Sequence, residues 1–265
     1  MSEAAWQAHI DACEQTLRSV LALGDELDAT DWDRPTECPG WSVKDQYSHI
    51  LGVERFLVGD TDDGVIRTVA NTAIDVEASR GRKPGEILGE LRDVIDRRLE
   101  ALRSGAVDLA EVVDTPLLQT MVYGDFMRFR ALDIWMHEQD VRRAVARPGN
   151  LDGPAAELCR RLLGGALLAA VGVRAAAASG QSVVVETPER RWHVEVGDDR
   201  RPRFRDAETQ AEAEAEAEPT VRLRMAWETF IRLGGGRVPI DDADVEIVGD
   251  RDLACRVLAG MAVTP

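Results

Sequence analysis

Apolar residues recur at helical spacing through the first half of the chain and alternate in short runs through much of the second. Trp6, Ile10, Cys13, Leu17, Val20 and Leu21 form the first helical stripe, which stops at Leu23-Gly24-Asp25. A loop rich in turn residues follows, from Asp31-Trp32-Asp33 to Cys38-Pro39-Gly40-Trp41. Ser42 then reads as an N-cap, with Asp45 three residues on as its box partner, opening a helix to about Leu57. A third helix is predicted over 85–102, with Ile87, Leu91, Val94, Ile95 and Leu99 on one face. A fourth spans 126–145 and is halted by Pro148-Gly149. Four helices joined by loops predict an antiparallel bundle, a common host for metal ligands between facing helices.

The pattern changes after Pro148. An Ala- and Leu-rich helix is predicted over 155–178, closed by Ser179-Gly180. Residues 182–187 and 191–196 alternate as two strands around Pro188-Glu189, a hairpin. Further strands are expected at 220–225 and 243–248, and helices at 227–233 and 250–258. The expected organisation is thus an all-α domain over 1–149 and a smaller α+β domain over 150–265. The alternating Ala and Glu of 211–218 are read as an exposed acidic connection.

Charge and cysteine usage narrow the partners. The 265 residues carry 32 basic and 48 acidic groups, a net charge of −16. That balance repels phosphates and excludes a nucleic-acid partner. No run approaches the ~20 apolar residues of a membrane span, and the N-terminus lacks a signal-peptide pattern, so a cytoplasmic protein is expected. The cysteines, Cys13, Cys38, Cys159 and Cys255, are scattered without a CxxC spacing, which reads as reduced thiols.

The chemistry is concentrated in two helices. Asp133 and His137 are four residues apart, so their side chains leave one face of the fourth helix one turn apart. The chain has four histidines, and His49, in the second helix between Ser48 and Ile50, is the natural third ligand. Spacing leaves other carboxylates open: Asp140 lies three residues after His137, Asp45 four before His49, and Glu138 points elsewhere on the wheel. The plainer alternative is that Asp133 and Asp140 make surface ion pairs with Arg130 and Arg143. His9 and His193 read as ordinary structural or surface residues.

Cys38-Pro39-Gly40-Trp41-Ser42-Val43-Lys44-Asp45, continuing to His49, resembles the entry motif of the maleylpyruvate isomerase family of mycothiol-dependent metalloenzymes. The run from Leu132 through Asp133, His137 and Asp140 to Arg142 is similar to its second signature, and the residues from Val248 to Pro265 to its C-terminal module. The resemblance implies a DinB-like four-helix domain followed by a domain similar to sterol carrier proteins. It implies a divalent metal, usually zinc, on His49, Asp133 and His137, with Asp133 where the best-known members carry Glu. It also implies a substrate-binding arginine in the C-terminal domain, for which Arg237 in Gly234-Gly235-Gly236-Arg237 is the best match.

Three protein ligands leave one position open, the mark of a catalytic zinc site. The expected function is therefore metal-assisted activation of a small thiol, mycothiol, for attack on an electrophile, ending in cis–trans isomerisation or S-transfer. Two imidazoles and a carboxylate also suit iron, nickel or manganese. The competing readings are a protein whose C-terminal domain binds an apolar ligand while the metal site is vestigial, and a zinc-binding protein without turnover.

Overall fold

The computed structural model describes residues 2–61, 65, 67–68, 71, 73–117, 119–205 and 218–263. It divides into two compact units, residues 1–160 and 161–265.

The first unit is helical. α1 (Glu3–Glu26) is capped by Ser2, whose side chain accepts from the Ala5 amide. Ile10, Cys13, Leu17, Val20 and Leu21 are all buried, as their spacing predicts. α2 (Val43–Leu57) opens with a full capping box: Ser42 accepts from the Asp45 amide, and Asp45 accepts in return from the Ser42 amide at 2.9 Å. A short helix that the pattern does not announce, α3 (Ala73–Ser79), packs on α2. α4 (Pro84–Arg103) starts with proline in its first turn, where no helical N–H is required. It buries Ile87, Leu91, Val94, Ile95 and Leu99. A two-stranded hairpin, β1 (Val112–Asp114) and β2 (Thr120–Val122), leads directly into α5 (Tyr123–Ala144). The four long helices share one core, α1 packing on α5, α2 on α4, and each of α1 and α2 on the other pair member.

Close approaches fix how these helices meet. A Cβ on Gly24 would lie 2.7 Å from Leu88 Cδ1, and one on Gly52 only 2.2 Å from Asp75 Cγ. Tyr47 crosses the core to donate to the Val20 carbonyl at 2.8 Å. No described helix is long and apolar enough to cross a membrane.

α6 (Pro154–Ala169) gives way to a π turn over Ala170–Arg174. The single helix expected over 155–178 is therefore shorter than its composition suggests. The reason is tertiary: Gly172 lies against the Pro202 ring, and Ala176 takes φ +49° to turn the chain toward the sheet.

The sheet of the second unit has the order β5-β4-β3-β6-β7. β3 (Ser182–Glu186) and β4 (Arg191–Val196) form the predicted hairpin, with Val184 opposite His193. β5 (Pro202–Phe204) extends it at one edge. β6 (Val221–Arg224) runs parallel to β3, and β7 (Glu246–Gly249) antiparallel to β6. α7 (Trp227–Gly234) and α8 (Arg251–Ala259) complete the unit. Trp192 stacks on Phe230, with centroids 4.8 Å apart and planes 7° apart. The acidic connection read over 211–218 lies, apart from Glu218, outside the described residues.

Candidate metal centre

α5 projects Asp133 and His137 from adjacent turns, and α2 brings His49 against them. His49 Nε2 lies 3.5 Å from Asp133 Oδ2, and His137 Nε2 lies 3.4 Å from Asp133 Oδ1. One ligand atom of each residue lies within 4.8 Å of the other two. The imidazoles meet edge-on, 4.6 Å between centroids. Both histidines are buried, whereas the Asp133 side chain keeps 38% of its surface. The cluster is closed behind the imidazoles and reached past the carboxylate.

The loop before α2 forms one wall. Trp41 lies 5.1 Å from the His49 ring and stacks on His137 at 5.7 Å with planes 24° apart. The loop is pinned by Thr36, whose amide and hydroxyl both donate to the Trp41 carbonyl at 2.9 Å. Gln46 of α2 donates to the same hydroxyl at 2.7 Å. Gly40 takes φ +78°, the backbone state that delivers Trp41 over the rings.

A buried ion network supports the carboxylate. Arg130 donates from Nη1 to Asp133 Oδ2, from Nε to Glu54 Oε1 at 2.7 Å and from Nη2 to the Ile50 carbonyl at 3.3 Å. Arg98 Nε lies 3.4 Å from the other Glu54 oxygen. Behind His137, Asp140 Oδ2 is 3.8 Å from Nδ1, and its Oδ1 accepts from Arg143 at 2.7 Å. Arg143 also pairs with Glu37 of the loop at 2.8 Å. Cys38, His137 and Asp140 form a second close group, ligand atoms within 4.8 Å.

The protonation states favour ligation. Burial pushes the His49 imidazole below its ordinary value, outweighing the Asp133 contact that raises it. Burial acts to raise Asp133, but His137 and then His49 hold it well below the usual carboxylate range. A neutral imidazole facing an ionised carboxylate is a ligand pair ready for a cation.

The residues fit a divalent metal on two counts. His49 Nε2, the nitrogen that faces Asp133, is buried with no hydrogen-bond partner, a cost that ligation removes. The nitrogen–oxygen separations of 3.4 and 3.5 Å, one to each Asp133 oxygen, also bring all three residues within reach of one ion.

The remaining candidates separate cleanly. Asp45 is consumed by its capping box. Glu138 points away from the cluster and accepts from Thr16, Ser19, Arg142 and Asn150, tying α1 to α5. His9 contacts the Gly124 carbonyl at 3.0 Å, and His193 is buried in β4. Arg237, in the second unit, is buried just beyond α7 and donates to the Gly235 carbonyl at 2.7 Å. Trp41 is the participant that residue type alone did not single out; its place in the motif beside His49 was the available signal.

Residues 13–142 match the family model of the mycothiol maleylpyruvate isomerase N-terminal domain. The N-terminal unit carries this family's domain. Among solved structures it is similar to the crystal structure of the mycothiol-dependent maleylpyruvate isomerase, at 13% identity and TM-score 0.59, over 91% of this chain and 92% of that one. A histidine-to-alanine mutant of that enzyme matches over the same shares at 12% identity and the same TM-score. No curated protein sequence matches significantly. The chain thus shares with that structure a helical N-terminal region followed by a smaller strand-containing region.

Proposed function

We propose that the chain is a metal-dependent enzyme that activates a low-molecular-weight thiol, mycothiol, for attack on a small electrophile, by isomerisation or S-transfer. The observation that carries this reading is the convergence of two buried imidazoles on the Asp133 carboxylate, with His49 Nε2 lacking a hydrogen-bond partner. The family match over 13–142 supports the thiol. In this reading the helical unit is a DinB-like bundle and the second domain, from about residue 150, resembles sterol carrier proteins. The protein works in the cytoplasm.

A divalent ion, zinc in our reading, held by His49, Asp133 and His137 supplies Lewis-acid stabilisation of a thiolate near neutral pH. The chain's own groups do the rest. Arg130 keeps Asp133 aimed at the imidazoles, and Trp41 holds both rings against rotation. The protein's buried cysteines are poor nucleophiles: burial pushes the Cys13 thiol up to about 12 and Cys159 well above its ordinary value. In this reading the attacking sulfur is that of the added thiol. With a cis-dicarboxylate, addition, rotation and elimination give the trans isomer; with an epoxide or halide, the adduct is the product.

The test is metal content and thiol consumption of the native chain beside His49→Ala. Stoichiometric metal and activity in the native chain, both lost in the variant, support the proposal; equal rates in the two refute it. Arg237→Gln belongs in the same series. A fall in kcat/KM at unchanged unfolding midpoint supports a substrate role, and a lowered midpoint supports a role in holding the turn after α7.

A further inference from the structure

His137 faces a different carboxylate through each ring nitrogen. Nε2 lies on the Asp133 side, and Nδ1 lies 3.8 Å from Asp140 Oδ2 on the other. Cys38 completes the second group, in which one ligand atom of each residue lies within 4.8 Å of the other two. His137 is 6% exposed, and its Nδ1 has no hydrogen-bond partner among the described residues. At 3.8 Å, Asp140 Oδ2 is beyond hydrogen-bond reach, so this buried nitrogen is unmet by the protein. A cation held with the thiol and the carboxylate would meet it.

The group is held from both sides. Pro39 and Gly40, the latter at φ +78°, occupy the centre of a β-turn closed by the Trp41 amide on the Cys38 carbonyl at 3.1 Å. The Cys38 amide donates to Thr36 Oγ1 at 3.3 Å. Asp140 is fully buried, with Oδ1 accepting from Arg143 and Oδ2 turned toward His137. Arg143 also pairs with Glu37, so one guanidinium stands against two carboxylates. The surroundings therefore keep negative charge for a cation. Cys38 is half-buried, so an ion reaches its sulfur from solvent.

We propose that Cys38, His137 and Asp140 form a second cation site, taking soft ions such as cadmium or copper(I), and that filling it draws His137 off the first. Thiolate is the donor that the first group lacks, and soft cations prefer it. On binding, the cation displaces the thiol proton to water. A neutral imidazole carries a lone pair on one nitrogen and a hydrogen on the other, so His137 serves one cation at a time. A cation already on His49 and Asp133 also repels a second one beside it. The two sites compete, and the soft ion inhibits. Binding rests on these three residues alone; its effect on turnover rests on the thiol-dependent reading above.

Cadmium is the probe, because a cadmium–thiolate bond absorbs in the ultraviolet and cadmium on nitrogen and oxygen donors does not. The titrated chains carry Cys255→Ser, which removes the exposed thiol. His49→Ala disables the first site and leaves the second complete. That chain is expected to bind one cadmium ion with the thiolate band, and adding Cys38→Ser to abolish the band and lower affinity at least about 10²-fold. With His49 intact and zinc loaded, cadmium is expected to release zinc to a chromogenic chelator as the band grows. Iodoacetamide labelling of Cys38 in the unsubstituted chain, blocked by cadmium, reads the same site without any variant. No band in the His49→Ala chain, a band that survives Cys38→Ser, or labelling of Cys38 unaffected by cadmium overturns the second site. A band that grows while zinc stays bound overturns the sharing of His137. Failure of the thiol-dependent reading shows separately, as absence of thiol consumption by the zinc-loaded chain, and leaves the cadmium results standing.

Discussion

Arg130 and Asp133, one turn apart on α5, form an ion pair through the same carboxylate oxygen, Oδ2, that lies 3.5 Å from His49 Nε2. The sequence posed a surface ion pair and a ligand cluster as alternatives for Asp133. The structure shows the Arg130 pair and brings both imidazoles to the same carboxylate, and the pair is not a surface one, because Arg130 is 2% exposed. Its guanidinium is an outer support that orients the carboxylate.

Asp133→Asn keeps the shape of the side chain and removes its charge. Metal affinity is expected to fall by at least about 10²-fold, since in the proposed site the lost group is a direct ligand rather than an outer support. Competition with a chromogenic chelator measures it. Asp133→Glu, the residue that the family resemblance implies at this position, is expected to retain most of the affinity. Indistinguishable affinities for native chain and Asp133→Asn would sink the assignment of the carboxylate.

Gly52, three residues after His49, is required by the approach of α3. An added Cβ would fall 2.2 Å from Asp75 Cγ and push away the carboxylate that grips Arg67. Gly52→Ala is expected to destabilise by about 1–3 kcal/mol in urea unfolding. Gly89→Ala, in α4 with nothing within 4 Å of the new methyl, is expected to stabilise by about 0.4–1 kcal/mol. Equal effects of the two substitutions would show that α3 yields without cost.

Thiol reactivity follows burial. Cys13, pushed up to about 12, and Cys159 are both enclosed, whereas Cys255 is exposed on α8. Iodoacetamide at pH 8 is expected to label Cys255 in the folded chain and to reach Cys13 and Cys159 only after unfolding. Peptide mass spectrometry reports the order, and early labelling of Cys13 would contradict the packing of α1.

Acid sensitivity of the second unit is expected at Glu186. It accepts from Arg222 at 2.5 Å and from Arg224 at 2.8 Å. Burial acts to raise this carboxylate, but the two arginines outweigh it and hold it below its ordinary value of 4.5. The unfolded chain therefore takes up the proton first as pH falls. The contribution is fully present above about pH 4.5 and is lost as pH drops through the depressed folded value. Glu186→Gln is expected to flatten the acid limb of stability below that pH; superimposable limbs would remove Glu186 from the account.

The long helices were legible because each buries one stripe, and a stripe at 3.6-residue spacing is a local property. Ser42 and Asp45 announced the start of α2 in the same way, through a hydrogen-bond exchange only three residues wide. α3 and the β1–β2 hairpin were not announced. The seven residues of α3 bury only Val76 and Ser79, too little to set a period, and its place depends on Gly52 and Arg67 elsewhere in the chain. The end of α6 was misjudged because Ala and Leu favour continuing a helix, while the approach of Gly172 to Pro202 ends it.

By itself the sequence determined the four long helices of the first unit, the β3–β4 hairpin and the candidate ligands, because residue type and spacing along one element are fixed by local geometry. It also determined the acidic balance and the absence of cations from residues 104–127. Tertiary structure alone decided which of several carboxylates faces the imidazoles, that Trp41 covers them, and that Arg67 and Arg130 are neutralised. Those outcomes depend on contacts between segments tens of residues apart. Such contacts are set by packing at distances of a few ångströms, which no local pattern encodes.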